Sequence, residues 1–188
     1  MAGALPFPTN LPLTRTAQLV LLVEDTWRIE KQLSETEDVP RWTFYPAGMS
    51  EKDARRRAVL NADRAASGAG ARYVIEESGR PLGTAGLVHR DNSIEVFFAL
   101  LLEARGRGLA TLAVNALCEW AFAHGHRSVE LISALGNSAS ERVAQRAGFE
   151  RGEVRQDDDG VKTRLWTHHA PVQTPQPSTK PEAVSDET

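Results

Sequence analysis

The hydrophobic positions change period in the middle of the chain. An unbroken apolar run over 96–102 reads as a buried strand. It feeds a turn containing Gly106 and Gly108. Beyond the turn, Leu109, Leu112, Ala113, Ala116, Leu117 and Trp120 recur at three- and four-residue spacings, which predicts a helix with one face in a core. The flanks follow the same logic. Residues 16–23 are rich in Leu and Val and read as a first strand, followed by a helix over 27–36 that Asp38-Val39-Pro40 ends. Arg41-Trp42-Thr43-Phe44-Tyr45-Pro46 is an aromatic cluster in a loop, lining a groove or capping the core. Ser50, with Asp53 three residues on, is an N-cap for a helix reaching Ala66. Residues 71–77 and 81–89 form a hairpin, a turn at 91–93 follows, and 94–102 completes a three-stranded meander. After the central helix come a strand at 129–133, a helix from Gly136-Asn137-Ser138 to Ala147, a strand from Phe149, and a last strand at 162–168.

A strand, a glycine-rich turn and a helix start make an anion site. The first helical turn has N–H groups without internal partners, its dipole favours negative charge, and glycine lets a phosphate approach closely. Arg105 and Arg107 add positive charge at the same place. No Gly-x-x-x-x-Gly-Lys is present, and the residue three after Gly108 is Thr111, so neither a P-loop nor a Rossmann turn fits.

Composition narrows the class. Hydrophobic residues at 41% and charged residues at 25% suit a soluble globular chain, with a core of the size 188 residues allow. A net charge of −3 argues against nucleic acid as the partner. No apolar run is long enough to span a membrane, and no basic-then-apolar leader opens the chain, so the cytoplasm is the expected compartment. Cys118, the single cysteine, reads as a small buried residue. Asp157-Asp158-Asp159-Gly160 reads as a hairpin tip, and no metal is expected. Residues 1–12 read as a flexible lead, 13–170 as one domain, and 171–188, rich in Pro, Thr, Ser, Gln and Glu, as a disordered tail.

Two motifs carry a resemblance. Arg105-x-x-Gly108-x-Ala110 resembles the pyrophosphate motif of the GNAT acetyltransferase superfamily, and Asn137-x-x-Ser140-x-x-Val143-x-x-Arg146-x-Gly148-Phe149 resembles a second segment of those enzymes, especially the RimJ/RimL-like branch of ribosomal-protein-alanine N-acetyltransferases. The two stand in the family's order about 30 residues apart. The resemblance covers 13–168. It departs at the first strand, where Leu21-Leu22-Val23 replaces Leu-Arg-Pro, and before the glycine turn, where apolar residues replace Tyr and Trp.

The resemblance implies an α/β fold: a mixed, mostly antiparallel twisted sheet of about seven strands flanked by about four helices, with a splayed central parallel pair. It implies acetyl-CoA as co-substrate and a primary amine as acceptor, a protein N-terminal α-amine before a small-molecule amine such as an antibiotic. A non-catalytic acyl-CoA-binding module keeps the same phosphate turn and is the alternative of another class; in either case a monomer or homodimer is expected. The coenzyme-binding residues so implied are Leu100, Leu101 and Leu102, whose N–H groups would face the oxyanion, then Arg105, Gly106, Arg107, Gly108, Leu109, Ala110, Thr111, Asn137 and Ser140. Asn137 is equally good as an N-cap. Ser140 is the expected proton donor to the sulfur. Glu95 is the expected base through a water molecule, with His89 or water alone as rivals, and His168-His169 less suited.

Overall fold

An eight-stranded sheet in the order β1-β2-β3-β4-β5-β6-β8-β7 organises the computed structural model, which describes residues 7–90, 93–156 and 160–171. The strands are β1 (Asn10–Pro12), β2 (Ala17–Leu21), β3 (Gly70–Glu77), β4 (Arg80–His89), β5 (Ile94–Leu100), β6 (Ser128–Ala134), β7 (Glu150–Gln156) and β8 (Lys162–His169). Five α-helices accompany them among the described residues: α1 (Arg28–Ser34), α2 (Val39–Trp42), α3 (Glu51–Ala66), α4 (Leu109–Ala123) and α5 (Ser138–Arg146). Every neighbouring pair is antiparallel except β5 and β6, which run parallel at the centre. That parallel pairing requires a crossover, and α4 supplies it.

The expected mixed sheet is therefore present, with one strand and one helix more than predicted. Residues 10–12, assigned by composition to the lead, form β1 on the outer edge of the sheet, where Pro12 breaks no interior ladder. Val39 and Pro40, read as a helix end, and Arg41 and Trp42, read as the start of a loop, together form α2, because Pro40 lies in its first turn where no N–H is needed. The acidic triplet 157–159, two of the three residues of the predicted turn at 91–93, and 172–188 lie outside the described residues. No helix among the described residues is long and apolar enough to cross a membrane.

Strand alternation divides the core into two layers. Leu19, Tyr73, Ile75, Leu87, Ile94 and Val96 project toward α4, where Leu109, Ala113, Leu117 and Trp120 meet them. Leu22, Val74, Ala99 and Leu101 project to the other side, under α1, α2 and α3. Cys118 is buried in the first layer, and that burial pushes its thiol up to about 12. Ser50 caps α3 as predicted, accepting from Asp53 N at 3.2 Å.

Gly86 sets up one local feature. It pairs with Arg72 on β3 and Phe97 on β4's other neighbour, and a Cβ there would lie 2.5 Å from Phe97 Cζ and closer still to the Ala71 carbonyl. Its bare backbone gives the Phe97 ring its seat, and Arg72 then lies over that ring at 4.6 Å.

Candidate active site

The sheet opens at its parallel joint. Pairing between β5 and β6 covers only Glu95 with Glu130 and Val96 with Leu131. Leu101 N–H donates to Leu82 O at 2.9 Å on the β4 side. Successive residues point their amides to opposite edges, so the N–H groups of Phe98 and Leu100 face the gap. The expectation for Leu101 is thereby corrected: its amide is spent inside the sheet and cannot meet an oxyanion. Phe98, which had no local signal, turns its amide to the gap beside that of Leu100.

The Leu100 carbonyl also faces the gap. Arg105 closes it, donating from Nε at 3.2 Å and Nη2 at 2.8 Å, while the same guanidinium binds both oxygens of Asp38. The hydrogen bond from Arg105 holds the Asp38 carboxyl below its usual range, against the opposing effect of burial. Arg105 thus ties α2's approach to the end of β5 and is not a free phosphate cation. Arg107 is not one either, since its side chain turns to Glu77.

The turn itself has the geometry predicted. Gly106 and Gly108 have φ of 74° and 79°, the left-handed region that favours glycine. A Cβ at either would meet nothing within 4 Å, so the backbone conformation and not crowding selects glycine. Among the described residues, the N–H groups from Gly106 to Thr111 donate to no acceptor, and the 15-residue α4 begins on them. Unpaired amides around left-handed residues at a helix start form a concave anion seat.

On the far side of the gap, Asn137 Oδ1 accepts from Ser140 N at 3.1 Å. The N-cap role is therefore real, and only the Nδ2 amide of Asn137 is left for a ligand. Ser140 sits in the first turn of α5 on the cavity wall, its hydroxyl unbonded among the described residues. Arg142 and Arg146, one helical turn apart, line the same wall without a carboxylate partner among the described residues. Their spacing was visible in the sequence, but only the sheet opening shows what they face.

Glu95 is 8% exposed and accepts from Arg90 Nε at 2.8 Å. It shares a sheet face with Arg72 and Phe97. His89 alternates to the α4 face, where its ring lies 5.2 Å from that of His126. His168 packs against Phe122 and Phe149, and burial lowers its proton affinity. Glu95 and His89 both border the cavity, from opposite faces of the sheet.

A buried polar cluster had no signature in the sequence. Glu30, 0% exposed, accepts from Tyr45 OH at 3.1 Å and from Arg57 Nε, with Arg72 Nε 3.7 Å away. Tyr45 OH lies 2.9 Å from Thr84 Oγ1 and accepts from Arg72 Nη1 at 2.7 Å. Burial above all pushes the Tyr45 hydroxyl up to about 12. The Arg55-Arg56-Arg57 run is thus split: Arg57 turns inward to Glu30 while Arg55 lies over Trp27 at 4.4 Å. The aromatic loop divides likewise, Tyr45 going to the core and Trp42 and Phe44 to the groove.

One cavity of about 1020 Å³ joins these parts. Glu95, Leu100, Arg105, Gly106, Gly108, Leu109, Ala110, Thr111, Asn137 and Ser140 all lie on its wall. Leu101, Leu102 and Arg107 do not.

Known proteins give the same outline. The family model described as an acetyltransferase (GNAT) domain matches residues 21–150. No curated protein sequence matches the chain. Among solved structures, an acetyltransferase from Salmonella typhimurium that modifies the N-terminal serine of a 50S ribosomal subunit protein superposes with a TM-score of 0.77 at 16% identity, covering 86% of this chain and 99% of its own. The microcin C7 self-immunity acetyltransferase MccE, solved with acetyl-CoA and AMP, gives 0.77 at 15% identity over 88% and 98%. The aminoglycoside acetyltransferase AAC(6')-Ib, solved with coenzyme A, gives 0.70 at 19% identity over 82% and 95%.

Proposed function

Because the chain belongs to the GNAT acetyltransferase family, we propose that it moves an acetyl group from acetyl-CoA to the α-amine of a polypeptide N-terminus, by direct attack in a ternary complex. The observation that carries this reading is the single cavity that joins the free amides of Gly106 to Thr111 to the carboxylate of Glu95. The amides suit a diphosphate, with Arg142 and Arg146 beside them for the remaining negative charge. Asn137 Nδ2 donates to a pantetheine carbonyl. The N–H groups of Phe98 and Leu100, unpaired toward β6, stabilise the oxygen that becomes negative as the amine adds to the thioester carbon.

Proton movements follow. The amine must attack neutral, and an α-amine with a pKa near 8 is about one-tenth neutral at pH 7, whereas a lysine near 10.4 is almost wholly charged. Glu95 takes the proton released from the nitrogen, through a water molecule. Ser140 Oγ gives a proton to the departing thiolate. A base of this modest kind suits an α-amine better than a lysine.

The test is a calorimetric titration of the chain with acetyl-CoA, then mass spectrometry of two peptides, one with a free α-amine and no lysine, one N-terminally blocked with a lysine. Acetylation confined to the first is expected. Absence of acetyl-CoA uptake, or transfer confined to the lysine peptide, overturns the proposal. Glu95→Gln should lower kcat by about 100-fold while acetyl-CoA affinity stays within about twofold, because Glu95 lies away from the phosphate seat.

A further inference from the structure

Outside α5, the cavity wall carries a charge that acetyl transfer alone does not require. Arg41, Arg57, Arg64, Arg72, Arg90 and Arg105 line it, against the carboxylates of Asp38 and Glu95 and the buried Glu30 behind them. Each of those three carboxylates is held by an arginine: Asp38 by Arg105, Glu95 by Arg90, and Glu30 by Arg57 with Arg72 at 3.7 Å. Arg41 and Arg64 have no carboxylate partner among the described residues. This arm is therefore cationic in a chain whose net charge is −3.

The arrangement is directional. Arg57, Asn61 and Arg64 stand at i, i+4 and i+7 on α3, one stripe of one helix face. Arg72 comes to the same place from β3, its guanidinium held over Phe97 and close to the Tyr45 ring. Two donors there are short of acceptors. Asn61 is 8% exposed and borders the cavity, and its Nδ2 has no hydrogen-bond partner among the described residues. Arg72 Nε, 3.7 Å from Glu30, is likewise buried without a hydrogen bond among the described residues. Unmet buried donors beside unpaired guanidinium groups are a costly arrangement unless an acceptor arrives.

Resting on acetyl transfer as the reaction, we infer that this arm binds a carboxylate of the acceptor, so that the amine acetylated belongs to an anionic molecule. Its chemistry is that of an amine with a carboxylate a few bonds away: a polypeptide N-terminus with Asp or Glu among its first residues, or a free amino acid. A polycationic amine such as an aminoglycoside is repelled by the same wall. Guanidinium groups bind planar carboxylates through paired, charge-assisted bonds. The Asn61 amide adds a neutral donor.

The experiment uses the full chain with acetyl-CoA and a set of peptides with a free N-terminal Ser, no lysine, and Asp moved through positions two, three and four. Each has an Asn isostere and a Lys counterpart whose side chain is blocked by dimethylation, which keeps its charge. Free aspartate and kanamycin complete the set. At least one Asp register should exceed its Asn isostere by about tenfold in kcat/KM, the effect of one charged hydrogen-bonded contact, and kanamycin should be the poorest acceptor. Free aspartate turning over as fast as the best peptide places the carboxylate in a small molecule; slower turnover places it in a polypeptide. Arg64→Glu and Asn61→Asp, both at positions without a hydrogen-bond partner to lose, should collapse the Asp-to-Asn ratio, and the double variant should favour the cationic peptide. Asp and Asn isosteres acetylated within twofold in every register, or a ratio unchanged in both variants, overturns the inference. Transfer to neutral peptides in that case leaves acetyl transfer itself standing, whereas no transfer to any acceptor, with acetyl-CoA bound or not, is the failure of the reaction.

Discussion

Replacing Arg105 by Ala separates two roles for the residue that opens the phosphate motif. Were its guanidinium a phosphate ligand, coenzyme affinity would collapse and the fold would be untouched. The geometry argues the reverse. Arg105 spends Nε and Nη2 on the Leu100 carbonyl and binds both oxygens of Asp38. The carbonyl contacts lie where the sheet has parted, and together are worth on the order of 1.5 kcal/mol, because water can partly replace them. The ion pair has side chains 34% and 37% exposed, so solvent screening reduces it to about 0.5 kcal/mol. The sum, about 2 kcal/mol, corresponds to a fall in Tm of roughly 4–8 °C for a domain of this size. The pH dependence has a definite sign. Asp38 titrates below its ordinary 3.8 in the folded chain, so its contribution is full above that value and is lost as pH falls through the folded pKa. Thermal unfolding of both proteins from about pH 7 to pH 2.5 should show a gap that narrows only below about pH 4, leaving the carbonyl part. Acetyl-CoA affinity should fall no more than about threefold. A Tm equal to the parent's, or a loss of affinity of 100-fold with no change in Tm, refutes this account and returns Arg105 to the phosphate.

Three further outcomes test the rest of the site. Gly108→Glu should abolish acetyl-CoA uptake by calorimetry, while Gly108→Asn, which tolerates the left-handed φ of 79°, should retain most of it; equal affinity in both would displace the phosphate seat. Ser140→Ala should lower kcat by about tenfold or more with acetyl-CoA affinity nearly unchanged, in stopped-time assays of free thiol; full turnover removes the hydroxyl from the reaction. Cys118, with its thiol pushed up to about 12 by burial, should resist iodoacetamide at pH 8 in the native chain and react on unfolding; prompt labelling of the native chain would contradict the packing under α4.

What was legible in the sequence is what is local. The glycine turn, the amides it frees and the helix that starts on them are set by about six consecutive residues, and the structure reproduces them from Gly106 to Thr111. The Asn137 cap and the Ser50 cap are likewise one-turn features. Side-chain partners are different in kind. Arg105 meets Asp38 across 67 positions and Arg57 meets Glu30 across 27, and nothing in a nearest-neighbour pattern announces either pair. The charged motif residues illustrate the cost. Arg105 and Arg107 sit beside the glycines, so adjacency suggested phosphate cations, yet both are drawn off to carboxylates, while Arg142 and Arg146 on another helix line the cavity with no carboxylate partner among the described residues.

The same division explains the acceptor arm. Its members come from α2, α3, β3, β5, the residue after β4 and the turn before α4, segments that only the sheet order brings together. Once Gly86 seats the Phe97 ring, Arg72 has a flat surface to lie on, and an apolar ring on β5 holds a guanidinium in the cavity wall. Charge then does what the missing rings do not. The amides at the start of α4 bring no side-chain charge, whereas Arg41 and Arg64 have no carboxylate partner among the described residues, which is what the inferred anionic acceptor requires.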